Sequence, residues 1–166
     1  MAELTAAEQV RDGRADFDFF MGSWNIKHHR LAERLKGCDT WEDYAGTAEA
    51  RKVLGDLGNT DEITMDTPAG CVRGMTVRLF DPHTRLWRLY WASNASGIMD
   101  EPLVGRFQNG RGEFYGHEIV GGVAIFSRFI WTPMSDEQCR WEQAFSADGG
   151  RTWETNWIME FTRRGE

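Results

Sequence analysis

The chain predicts an all-β fold: an antiparallel, up-and-down β-barrel preceded by a short helical segment. Three observations carry this. From residue 23 onward, apolar and polar residues alternate with period two. Glycine or Asx-Pro clusters interrupt the alternation about every ten residues, the spacing of sandwiches and barrels. Most connections are short, which favours a meander in which each strand pairs with the next.

Residues 2–12 (AELTAAEQVRD) read as a short helix or arm, so residues 1–16 are set apart from a single barrel domain at 17–166. FDFFMG, residues 17–22, reads as one helical turn stopped by Gly22. Strands are predicted near 23–31, 40–51, 60–66, 71–80, 86–93, 103–108, 113–120, 123–132, 138–146 and 152–163. KVLGDLGNTDE (52–62) is the longest break and reads as a loop able to act as a lid.

Two hairpins can be indexed, and a third can be divided into faces. A two-residue turn at Gly121-Gly122 pairs Glu118 with Ile125 and Phe114 with Phe129. A turn at DPHT (81–84) pairs Arg78 with Trp87, Thr76 with Leu89 and Gly74 with Trp91. On the last strand Trp153, Thr155, Trp157, Met159, Phe161 and Arg163 share one face, expected to be the inner one. Trp141, Gln143 and Phe145 form the inner set of the strand before it. An even-length turn would put these two sets on opposite faces, so the connection needs an odd residue count or a bulge, which Gly149 and Gly150 can supply.

A chain of 166 residues can bury a full core without a metal or disulfide staple. Its net charge of -7 argues against nucleic acid and anionic membranes as partners. No apolar run is long enough to cross a bilayer as a helix. The first residues are polar and acidic, unlike a signal peptide, so a cytoplasmic location is expected. Cys38, Cys71 and Cys139 lack CxxC spacing and read as reduced thiols. Eight tryptophans, ten phenylalanines and three tyrosines are more aromatic bulk than a core of this size requires. They predict a partly open, aromatic-lined cavity.

Two motifs carry resemblances. SADGGRTW (146–153) matches the Asp-box pattern S-x-D-x-G-x-T-W of sialidase-type propellers, but one copy in so short a chain reads as a structural turn. Asp148 caps it and Trp153 packs beneath it. The helical turn followed by Gly22-x-Trp24 resembles the entry motif of calycins, the lipocalin-like barrels. That resemblance implies that Trp24 plugs the closed end and that a basic residue of the last strand, here Arg163 of FTRR, covers it. The wider pattern FDFFMGSW…DPHTRLW…SADGGRTW resembles an uncharacterised family of lipocalin-like bacterial proteins. That family brings no reaction with it. A third, weaker reading is a haem barrel resembling nitrobindin, although the chain lacks the GxWxGxG extension after Trp24 and the last-strand histidine which that resemblance implies.

If Trp24 points inward, so do Ile26, His28 and Arg30, while Lys27 and His29 point outward. His28 then has two readings: a hydrogen-bonded core residue, or a pocket acid or base. Glu118 shares the more apolar face of its hairpin with Phe114, Ile125, Phe129 and Trp131. Burial there would raise its pKa unless Arg30 or Arg78 answers it. If that hairpin is inside out, Tyr115, His117 and Arg128 line the pocket instead. The expected cavity residues are Trp87, Trp91, Trp131, Trp141, Gln143, Thr155 and Trp157. Two functions follow: a carrier of a bulky hydrophobic or aromatic small molecule, or a cofactor-independent isomerase, cyclase or hydro-lyase. In the second, His28 and Glu118 exchange protons and Arg30 or Arg78 stabilises an anion. No metal ligand set is visible, no cofactor is expected, and a homodimer is the one protein assembly entertained.

Overall fold

A computed structural model describes residues 12–165. The helix expected over 2–12 lies almost wholly outside them. Ten antiparallel strands close into one barrel. They are β1 (Gly22–Leu31), β2 (Trp41–Val53), β3 (Gly58–Thr67), β4 (Gly70–Asp81) and β5 (Leu86–Ser93). The second half holds β6 (Leu103–Gln108), β7 (Arg111–Val120), β8 (Val123–Pro133), β9 (Gln138–Ser146) and β10 (Glu154–Arg163). Each pairs with its sequence neighbour, and β1 closes on β10. All ten strands expected from the alternation are present, and the predicted turn at FDFF is a short 3-10 helix at Asp18–Phe20.

The two ends of the barrel are built differently. At one end, two 3-10 turns, Gly13–Ala15 and Asp18–Phe20, tuck Phe17 and Phe20 under the strands. Phe17 meets Trp87 edge-on at 4.9 Å, and Phe20 packs on Trp131 at 4.7 Å and stacks on Trp24 at 5.7 Å. The indole N–H groups of these buried rings are satisfied by the same turns: Trp24 Nε1 donates to Phe20 O, and Trp87 Nε1 to Gly13 O.

Arg163 seals this end as expected. Its guanidinium lies 4.0 Å from the Trp24 ring centre. It donates to the carbonyls of Met21 (2.8 Å), Phe19 (2.9 Å) and Asp136 (2.9 Å). The last strand thereby clamps the entry turn to the barrel wall. Gly22 has φ +110, and a Cβ there would lie 2.7 Å from Arg163 Nη1, so only glycine allows the clamp.

Three register expectations need correction. KVLGDLGNTDE is not a lid: Lys52 and Val53 end β2, Gly58–Glu62 begin β3, and only residues 54–57 turn. Leu54 (φ 53) and Gly55 (φ 69) take the left-handed conformations that make so tight a connection possible, and it lies at the plugged end. In the β4–β5 hairpin the observed pairs are Arg78 with Leu89, Thr76 with Trp91 and Gly74 with Ser93. The loop is four residues, not two, because Asp81 caps the N–H groups of His83 and Thr84 and Arg85 takes φ 59. A two-residue register shift leaves every face unchanged.

The third correction changes a face. The bulge joining β9 to β10 is inside β10, at Asn156, where the register slips between Thr155 and Trp157. Thr155 pairs with Ala144 and Trp157 with Gln143, so Trp157 points inward while Trp153 and Thr155 turn outward. Trp153 packs on the outside between Tyr115 and Arg128. Asp148 organises the turn as expected, accepting from the Thr152 and Ser146 hydroxyls and from backbone N–H groups. These bonds, that from the Thr152 hydroxyl first, hold its carboxyl down at about 2.

Arg163→Ala should lower unfolding free energy by roughly 2–4 kcal/mol through the three lost charge-assisted bonds. Gly22→Ala should cost about 1–3 kcal/mol from strain alone. Urea unfolding measures both; a Gly22→Ala protein as stable as wild type would refute the clamp.

Candidate functional site

Above the plug the barrel is hollow. A cavity of about 880 Å³ opens at the end opposite Trp24. Its walls carry Trp91, Trp131, Trp141, Trp157, Phe129 and Phe161. Trp141 and Trp157 meet edge-on at 5.2 Å, and Phe129 meets Trp141 at 4.9 Å. Gly74 makes room for Trp91, since a Cβ there would lie 1.9 Å from the indole. Gln143 also lines the cavity, with its amide tied to Asn156 Oδ1 at 3.0 Å.

The floor is polar. Arg78 on β4 and Asp61 on β3 both face the cavity and are each 2% exposed. Arg78 donates to the Asp61 carboxylate and to Asn59 Oδ1, and Asp61 also accepts from Thr76 N. Below, the guanidinium lies 5.1–5.3 Å from the Phe17, Phe20 and Trp131 ring centres. The pair thus divides plug from hollow.

Arg30 lines the upper wall, its guanidinium 4.3 Å from the Trp157 ring centre. The mouth is formed by the β1–β2 connection, the β5–β6 connection and the tip of the β7–β8 hairpin. Beyond Tyr115 that hairpin loses its β6 partner, and before Phe126 it has no β9 partner, so its tip projects past the rim. Arg34, Asp100 and Glu118 line it. Desolvation, then the nearby Asp100, pushes the Glu118 carboxyl above its ordinary value, while Arg34 pulls it down. Desolvation alone raises Asp100. Glu154 fixes the β1–β2 connection by accepting from Leu35 N at 2.9 and 3.1 Å.

His28 is inward and 1% exposed, but it does not line the cavity. Trp157 Nε1 can only donate, so His28 Nδ1 must accept from it (3.2 Å) and Nε2 must carry the proton given to Thr64 O (3.2 Å). Both ring nitrogens are engaged. Burial, with a smaller push from Arg30, lowers its pKa to about 4.

Of the expected residues, the cavity gathers Arg30, Arg78, Glu118, Trp91, Trp131, Trp141, Gln143 and Trp157. It does not bring His28 to Glu118. Arg78 answers Asp61, and Arg34 is the cation that acts on Glu118. Trp87 belongs to the plug, and the Asn156 bulge carries Thr155 outside. Of the alternative hairpin face, Tyr115 and Arg128 lie outside against Trp153, while His117 reaches the mouth at the projecting tip. Sequence reasoning missed Asp61, Arg34 and Asp100. Counting back by twos from Ile63 would have placed Asp61 and Asn59 inside. Among the described residues no cluster of three His, Cys, Asp or Glu side chains could hold a metal. The three cysteines are free, and burial pushes the Cys139 thiol up to about 12.

No protein-family model matches the chain, and no curated protein does. Among solved structures, the S-type phycobiliprotein lyase CPES from Guillardia theta is similar in fold, with a TM-score of 0.62 over 99% of both chains at 10% identity. The barrel is therefore lipocalin-like, the class the Gly22-x-Trp24 entry resembles.

Two measurements check the buried polar groups. Asp61→Ala should cost roughly 3–5 kcal/mol by stranding Arg78, and Asp61→Leu combined with Arg78→Met should recover much of it. His28 binds a proton more weakly when folded than when unfolded. Its contribution, on the order of 3 kcal/mol, is therefore present above about pH 6.5 and lost as pH falls toward about 4. His28→Gln should flatten urea-unfolding stability across that window.

Proposed function

We propose that this protein binds a bulky, flat, hydrophobic small molecule inside the barrel. The observation that carries the reading is the open hollow of about 880 Å³ walled by four tryptophans. It falls within the roughly 300–1,000 Å³ of ordinary ligand sites. Edge-on indoles present flat faces to a planar ligand, and the Arg78–Asp61 floor offers it one donor and one acceptor region. The structural neighbour, a phycobiliprotein lyase, shares the fold; the ligand class here rests on the cavity. No helix among the described residues is long and apolar enough to cross a membrane, and a cytoplasmic carrier fits the acidic composition.

A cofactor-independent acid–base enzyme on the same scaffold is the second reading. It is favoured by Glu118, a carboxyl raised by desolvation at the cavity mouth beside Arg34. With His28 committed to Thr64 and Trp157, Glu118 becomes the proton donor of that reading. Loss of turnover in Glu118→Gln with retained ligand affinity would favour it.

The uncharged dye N-phenyl-1-naphthylamine should bind the wild type with enhanced emission. Trp91→Ala should weaken it about tenfold. Gly74→Ala, which forces Trp91 to shift, should weaken it in the same direction. Unchanged affinity in both variants would exclude binding in this cavity.

A further inference from the structure

We infer that the ligand is an organic acid, its flat body against the tryptophans and its carboxylate held near the mouth by Arg30 and Arg34. The inference rests on the ligand-binding reading above and names the chemistry that the ligand must bring.

Three arginines line the cavity, and they are not equivalent. Arg78 is neutralised by Asp61 and further bonded to Asn59, so although its Nε also lacks an acceptor its charge is met. Arg30 has no ion pair among the described residues, and its Nε is buried without an acceptor. Its guanidinium carbon sits over the ring of Trp157, its cross-strand partner, 4.3 Å from the ring centre. A guanidinium held over a ring still has N–H groups to offer a carboxylate.

Arg34 reaches the same cavity from the β1–β2 connection. Among the described residues its one hydrogen bond is from Nη1 to Leu31 O, at 3.3 Å. Burial first, and Arg30 second, hold its guanidinium below the usual arginine range. Two cations therefore repel one another on one wall of a protein whose net charge is -7. The nearby carboxylates do not resolve this. Glu154 is bonded to Leu35 N, and Glu118 attracts Arg34 without forming an ion pair with it. A carboxylate entering between Arg30 and Arg34 would satisfy the orphaned donor and remove the repulsion together. The apolar walls below leave the rest of such a ligand its natural place.

The test compares 1-pyrenecarboxylate with 1-pyrenecarboxamide, which share a ring system and differ in charge, by fluorescence titration. The wild type should bind the acid about tenfold or more tightly than the amide. Arg30→Gln should abolish that preference, and Arg30→Lys should keep part of it. Arg34→Gln leaves Trp157 and its stacked partner in place, so it should weaken the acid and spare the amide. If Arg30→Gln fails to fold, Arg34→Gln decides alone. Equal affinity for acid and amide in the wild type overturns the inference while leaving the cavity reading intact. So does a preference that survives in the Arg30→Gln/Arg34→Gln double variant. Failure of both probes, together with N-phenyl-1-naphthylamine, overturns the cavity reading and this inference with it.

Discussion

A buried ion pair divides this barrel in two. Arg78, paired with Asp61 and donating further to Asn59, spans the interior between an aromatic plug and an open hollow. A pair removed from water is stable only when its remaining donors and acceptors are met. Here Thr76 N, Asn59 and three aromatic faces supply most of that. The rings of Phe17 and Phe20 pack below the guanidinium, and Trp131 reaches from the plug, where it meets Phe20, into the cavity wall. Side chains above face a polar layer that they cannot collapse through, so the upper half stays hollow.

The plug and the mouth are each secured by contacts that cross between elements. At the plug, Arg163 holds the entry turn through the carbonyls of Phe19 and Met21 and ties it to Asp136 O in the β8–β9 connection. At the mouth, the Asn156 bulge sets up a polar chain from Gln143 through Asn156 to Glu154, which fixes Leu35. Without that extra residue, Thr155 would face the cavity and Glu154 would point to solvent, leaving the β1–β2 connection unanchored. The bulge therefore orders the loop that carries Arg34.

Much of this was legible in the residues. Alternation located all ten strands, and parity on β1 separated inward Trp24, His28 and Arg30 from outward His29. His29 does lie outside, stacked on Trp41 and paired with Asp43. What failed did so for identifiable reasons. Parity between β9 and β10 calls for a bulge but does not locate it, because either side of it alternates correctly; placing it at Gly149-Gly150 instead of Asn156 turns Thr155 inward. Asp61 was hidden in a stretch whose glycines suggested a loop, although its inner face continues Ile63 and Met65. The partner of His28 could not be read either, since Trp157 and Thr64 reach it from different strands far along the chain. Charges on irregular connections, Arg34 and Asp100, have no periodicity to betray them.

The division of the interior has an evolutionary consequence. The groups that hold the chain together, Trp24, Arg163, Trp87 and the phenylalanines, are concentrated at one end. The side chains that a guest would meet are concentrated at the other, many on connections and on a hairpin tip freed from its neighbours. Substitutions at the rim therefore trade selectivity without drawing on the stability of the whole. If the hollow takes a ligand as proposed, a lineage built on this barrel is free to change its cargo while keeping its foundation.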